Sequence, residues 1–387
     1  MKSRNSHSSL IVETFRRRPH LIFFALAALQ AVIIIPLTAF RAVSAPLSSA
    51  WPLGTWHAHE MIFGFALAVM GGYFAGKYSP RQAVFLAASW ILARAAVAGA
   101  CETGGWLASF AGLYPALLFI FAGLPILKAA KTLRNATFGI ILGALALVDL
   151  GLLVGSSSRS IVSNPALGRM GLLLIVMMSF AMGGRITAAA TSGGHQAMGR
   201  KLVNAAQIPL ERAGVLLLIG LVILLSGDFP AVWISLLSLS LAAVTGARLW
   251  RWQFWKLRDA SVLGLHAGFL WLIVGFTLIG VQPIFPGLSV TDALHGLAIG
   301  AVGTFTLTVM TRVILQKARR DISVPSIMVL SVGAANLAAL FRVVAFTSDR
   351  SDVYLILAAG AWTLAWSLFL VFLMTSAKGP AEQIYSK

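Results

Sequence analysis

From residue 20 onward the chain alternates long apolar stretches with short polar ones. A helix crosses the hydrocarbon core of a bilayer with about 20 mostly apolar residues. Stretches of that kind begin near Leu21, His57, Gln82, Leu107, Asn135, Leu167, Leu210, Ala231, Ala260, Asp292, Val324 and Val353. The pattern predicts an all-α fold, a polytopic transmembrane helical bundle of about 12 spans. The stretch from Gln82 is the weakest of the set, because it carries Arg94 and ends early. The first stretch is followed by no small-residue cleavage site, and it reads as a span, not a removed signal.

Composition agrees with that class. The 387 residues are 58% hydrophobic and 11% charged, against about 25% charged in soluble domains. The formal net charge of +18 raises the question of nucleic acid, and its distribution answers it. Lys77, Arg81, Lys128, Lys131, Arg134, Arg200, Lys201, Arg251, Lys256, Lys317 and both chain ends fall on one side of the predicted spans. The opposite side holds only Arg41, Arg159, Arg169, Arg342 and Arg350. That asymmetry is the positive-inside pattern of a multi-pass membrane protein, and it puts both termini in the cytoplasm. No nucleic-acid partner is implied. The predicted organisation is a cytoplasmic tail (residues 1–19), a single transmembrane helical domain (20–377) and a second cytoplasmic tail (378–387). Trp250, Trp252, Phe254 and Trp255 read as an interfacial aromatic belt. The one cysteine, Cys101, excludes an intrachain disulfide and is placed in a loop, Cys101-Glu102-Thr103-Gly104-Gly105. The polar connection 191–207 reads as a flexible loop carrying His195.

The chemistry concentrates where the second stretch opens, at Trp56-His57-Ala58-His59-Glu60-Met61. Ionisable side chains in a span are costly and face a partner, a cavity or a cofactor. This span and the one from Asp292 both enter from the non-cytoplasmic side. His57, His59 and His295 therefore lie at similar depth and are the candidate metal ligands. His266, in Leu263-Gly264-Leu265-His266-Ala267-Gly268, lies deeper in a span entering from the cytoplasm. Residues two apart on a regular helix point about 200° apart. Either the first turn is irregular, or His57 and His59 serve different sites, one with haem iron and one with copper. Arg185 and Arg312, at cytoplasmic helix ends, are placed to neutralise haem propionates or to anchor their helices. Gly296, Gly300 and Gly303 allow close approach of either a flat ligand or another helix. Asp292 reads as a helix N-cap, and His7 and His20 are weaker candidates. No Walker, Rossmann or hydrolase motif occurs in a suitable setting.

Several blocks, in order along residues 18–320, resemble the NnrS family of bacterial membrane proteins. They are Trp56-His57-Ala58-His59-Glu60-Met61 with Phe63-Gly64-Phe65, then Gly183-Gly184-Arg185-Ile186, the segment around His266, Ala293-Leu294-His295 and Val309-Met310-Thr311-Arg312. The resemblance implies a bacterial inner-membrane protein with haem b and copper that binds or detoxifies nitric oxide in nitrosative stress or denitrification. If nitric oxide is reduced, the protein is an oxidoreductase that needs an electron donor, a quinol or a redox protein. Reduction also consumes protons, and Glu60 is the candidate catalytic acid for their delivery. The residues alone equally admit a proton- or copper-coupled transporter or sensor in the lipid bilayer.

Overall fold

The computed structural model describes residues 18–43, 53–103, 110–157, 165–227, 229–318 and 323–377. Residues 1–17 of the first predicted tail, with His7, the second predicted tail and the connection bearing Arg159 lie outside the described residues, and the tail's last residue, Pro19, opens the first helix. Among the described residues the chain forms helices and short turns, with no strand. Eleven helices are long and apolar enough to cross a membrane. The remaining predicted stretch, residues 53–73, is helical in three consecutive pieces, Leu53–His59, Glu60–Ala66 and Leu67–Tyr73. Its mean hydropathy is lowered by His57, His59 and Glu60. The stretch from Gln82 is a full span, Pro80–Thr103, with Arg94 in its interior.

Local rules set the helix starts. Pro19, Pro80 and Pro165 open helices at a position where the missing N–H costs nothing. Asp259 caps Ala260–Val281 by accepting from the Ser261 amide. At Val290–His295 the N-cap is Ser289, and Asp292 is its reciprocal partner in a capping box. The N-cap expected at Asp292 is thus shifted by three residues, because the Ser289 hydroxyl reaches the Asp292 amide at 3.1 Å. Cys101, expected in a loop, falls in the last turn of Pro80–Thr103.

The helices cluster into two compact units, one of residues 1–164, 316–319 and 366–387, the other of residues 165–315 and 320–365. In the first unit, Pro19–Val43 packs closely on residues 53–73: a Cβ at Gly71 would meet the ring of Phe23, besides the Tyr114 hydroxyl, and one at Gly72 the ring of Phe24. Glu60–Ala66 is a π-helix, whose wider turn disturbs the regular carbonyl ladder. Three neighbours donate to carbonyls in and beyond it. Trp90 reaches Gly64 at 2.8 Å, Tyr114 reaches Leu67 at 3.0 Å, and Tyr78 reaches Gly71. In a bilayer such groups have no water to turn to, so these donors keep the irregular segment affordable.

In the second unit, the helix Pro165–Ala197 spans 33 residues and contains a π-turn at Ser179–Gly183. It continues through the predicted flexible stretch as far as Ala197, and His195 is buried within it. Packing overrides the two glycines there: Thr187, Thr191 and His195 all face the interior, and the His195 Nε2–H donates to the Trp252 carbonyl at 3.1 Å. The glycine stripe of the π-segment Gly296–Gly303 is occupied by neighbouring side chains. A Cβ at Gly300 would meet Trp271, and one at Gly303 would meet Trp362. Of the two readings of that stripe, helix packing is the one realised.

Candidate functional site

In the first unit the residues around Glu60 form a buried polar centre. Glu60 accepts from the Arg94 guanidinium at 2.6 Å and from the Gln30 side-chain amide. Its Oε1 lies 3.4 Å from His59 Nδ1. On the other side of the ring, His59 Nε2 lies 2.8 Å from Asp149 Oδ1. His59 and Asp149 are wholly buried and Glu60 nearly so. The second oxygen of Asp149 is buried with no hydrogen-bond partner among the described residues.

Both carboxylates can only accept, so each calls for an imidazole N–H. A neutral ring has one N–H and serves one of them; a protonated ring serves both. With the ring protonated, two carboxylates, one guanidinium and one imidazolium sum to zero charge, the condition that makes such a cluster tolerable away from water. A protonated ring between the two acids satisfies both at once. Gly64 makes the arrangement possible. A Cβ there would stand 2.6 Å from the Gln30 amide and 3.1 Å from the Arg94 guanidinium.

His57 turns elsewhere. Its Nδ1 lies 3.1 Å from the Thr38 hydroxyl, which itself donates to the Ile34 carbonyl at 2.7 Å. The hydroxyl proton is thus committed, so the ring donates through Nδ1–H and carries its lone pair on Nε2. The first turn is regular, since His57 and His59 both lie in the α-helical piece Leu53–His59 and the π-helix begins after them at Glu60, and the two imidazoles meet different neighbours. His59 was expected among the metal ligands. With a carboxylate at each nitrogen, it would take a metal only by releasing one of them.

In the second unit His266 sits in a ring-lined setting, with Phe254 stacked at 5.6 Å and Trp252 edge-on at 5.8 Å. Its Nδ1–H donates to the Val262 carbonyl at 2.8 Å, while Nε2 lies 3.3 Å from the Thr191 hydroxyl. His295 repeats the pattern, with Nδ1–H donating to Thr291 at 2.7 Å. Beside it, Arg342 donates to Asp292 at 2.8 Å. Three of the candidate histidines, His57, His266 and His295, are therefore held at Nδ1 by an oxygen of Thr38, Val262 and Thr291 respectively. That is the orientation in which proteins present imidazole to a metal.

The two expected propionate partners differ. Arg185 is engaged twice by Glu211, at 3.1 and 3.0 Å from one oxygen. Arg312 donates to the Ser261 hydroxyl and keeps a buried Nε that has no hydrogen-bond partner among the described residues. That orphaned donor, one span from His266, fits an incoming anionic group. Arg185 has its carboxylate already. Sequence reasoning missed Arg248, which is completely buried with its guanidinium over the rings of Phe180, Trp252 and Phe269 at 4.7, 5.2 and 5.4 Å. Gly184 admits it, since a Cβ there would collide with the guanidinium.

Among the described residues no three His, Cys, Asp or Glu side chains are grouped to hold a metal ion by themselves. A metal ligated by single imidazoles, as haem iron is, makes no such demand. The family model described as NnrS protein matches residues 14–376. No curated protein matches the chain.

Proposed function

The chain belongs to the NnrS family, and from that premise we propose that it is a haem- and copper-holding protein of the bacterial inner membrane that binds and detoxifies nitric oxide. The observation that carries this reading is the shared anchoring of His57, His266 and His295 through Nδ1. His266, set between the rings of Phe254 and Trp252, would hold the iron of haem b. When bound, haem supplies the iron on which nitric oxide is captured. The chain's part is to fix the imidazole through Val262, exclude water with Trp252 and Phe254, and receive a propionate at Arg312. Arg185 meets a propionate only by sharing with Glu211. Copper would be held by His57 or by His295.

His59 and Glu60 do different work in this reading. Converting two nitric oxide molecules to nitrous oxide and water consumes two protons and two electrons. The His59–Glu60–Asp149 centre holds a proton in reserve, and the electrons come from a quinol or a redox protein. The same centre favours the second reading, a proton- or copper-coupled transporter or sensor. The two separate on purification. A haem protein shows a Soret band that shifts when nitric oxide is added to the reduced form, and it loses that band in His266→Ala. A colourless, metal-free preparation from haem-replete cells overturns the first reading and leaves the second.

A further inference from the structure

The end of the helix Pro165–Ala197, the end of the helix Ala231–Arg251 and the loops after them border an open hollow of about 410 Å³. Arg200, Lys201 and Arg251 line it, and no Asp or Glu does. Trp250 and Trp255 form a wall with ring centroids 4.6 Å apart and remain 72% and 48% exposed. The charge distribution places both loops at the cytoplasmic face, in the headgroup region where tryptophan settles.

The hollow is firmly constructed. His195 is part of its lining and donates to the Trp252 carbonyl. The Trp252 indole donates to Ala205 at 2.8 Å, and the Gln207 amide donates to Arg248 at 3.1 Å, so each loop is tied to the other. All the left-handed backbone positions among the described residues fall in these two loops. They are Gly199, Asn204, Gln207 and Gln253, with φ of 69°, 53°, 46° and 51°. Glycine takes this region freely and asparagine fairly readily, but glutamine does so at a cost. Of these, Gln253 lines the hollow, and strained backbone persists where the surrounding structure holds it in shape.

Three cations suit a phosphate, which guanidinium groups bind in bidentate fashion. A free phosphate would use those cations alone. The exposed Trp pair and Val203, which is 73% exposed in the lining, add an apolar flank that only an amphiphile needs. We propose that this hollow binds the phosphate-bearing headgroup of an anionic phospholipid from the inner leaflet, with Arg200, Lys201 and Arg251 on the phosphate and Trp250 and Trp255 against the glycerol and upper chain. Basic pockets at cytoplasmic helix ends recognise lipids in this way. The inference is independent of the haem and copper assignment.

The test uses the full chain in phosphatidylcholine nanodiscs containing a minor fraction of either brominated phosphatidylglycerol or brominated phosphatidylcholine. Tryptophan emission is expected to be quenched more by the anionic brominated lipid. The excess should vanish in W250F/W255F, and each of R200Q, K201Q and R251Q should weaken headgroup occupancy by about fivefold. K201Q, in an exposed loop, serves if R200Q or R251Q fails to fold. Equal quenching of the unmodified chain by the two lipids overturns the proposal without any variant. So does equal loss in K128Q/R134Q, which would mean diffuse surface attraction. Loss of the excess on adding millimolar inorganic phosphate at constant ionic strength would assign the hollow to free phosphate and overturn the lipid claim.

Discussion

Replacing Arg94 by methionine tests the buried polar centre most severely. Arg94 donates to Glu60 at 2.6 Å, with side-chain exposures of only 10% and 5%. Removing one partner of a buried pair leaves an uncompensated charge and costs about 3–5 kcal/mol. Here Gln30 still donates to Glu60 and His59 still stands beside it, which places the expected loss near the lower end. About 3 kcal/mol corresponds to a drop of about a hundredfold in the ratio of folded to unfolded protein. Adding Glu60→Gln to Arg94→Met removes the stranded charge, so the double variant should be more stable than the sum of the single losses implies, by at least about 1.5 kcal/mol. The assay is reversible unfolding in mixed micelles with increasing dodecyl sulfate, followed by circular dichroism for the four proteins of the cycle. Additivity within about 0.5 kcal/mol would refute a direct Arg94–Glu60 pair.

Gly64→Ala places a methyl group against Gln30 and Arg94 and should cost about 1–3 kcal/mol in the same assay. Gly76→Ala, which meets nothing within 4 Å, should stay within about 0.5 kcal/mol of the parent. Asp292→Asn keeps most of the capping box and loses the charge of a partly buried ion pair with Arg342, whose side chains are 14% and 21% exposed, so it should cost about 1 kcal/mol, read as a small fall in melting temperature. Glu60→Gln should leave haem and copper content unchanged, by pyridine haemochrome and elemental analysis, and slow any anaerobic nitric oxide consumption. Full consumption with metals in place would confine Glu60 to a structural role.

The spans were legible because hydrocarbon thickness imposes a length that hydropathy alone reports, and even the weak stretch around Arg94 is a helix. The partners of the polar residues were not legible. Arg94 and Asp149 stand in the sequence as single charges in apolar stretches, a signal that each needs a partner. Nothing in the spacing says that Arg94 meets Glu60 34 positions away, or that Asp149 meets His59 at 90. The π-turns carry no local code either, so the register of Glu60 follows from packing, not from periodicity. Arg185 and Arg248 share the look of cytoplasmic anchors, yet one is paired with Glu211 and the other is sealed among three aromatic rings. The loop expected around His195 is helical because its buried face outweighs its two glycines.

The central claim is that His266 carries a haem on which nitric oxide binds, and anaerobic absorption spectroscopy of the purified, dithionite-reduced chain tests it directly. The account predicts a Soret band that shifts on titration with nitric oxide and is lost or displaced in His266→Ala, with helical content unchanged. A nitric-oxide-responsive Soret band of full intensity and unaltered position in His266→Ala would contradict it.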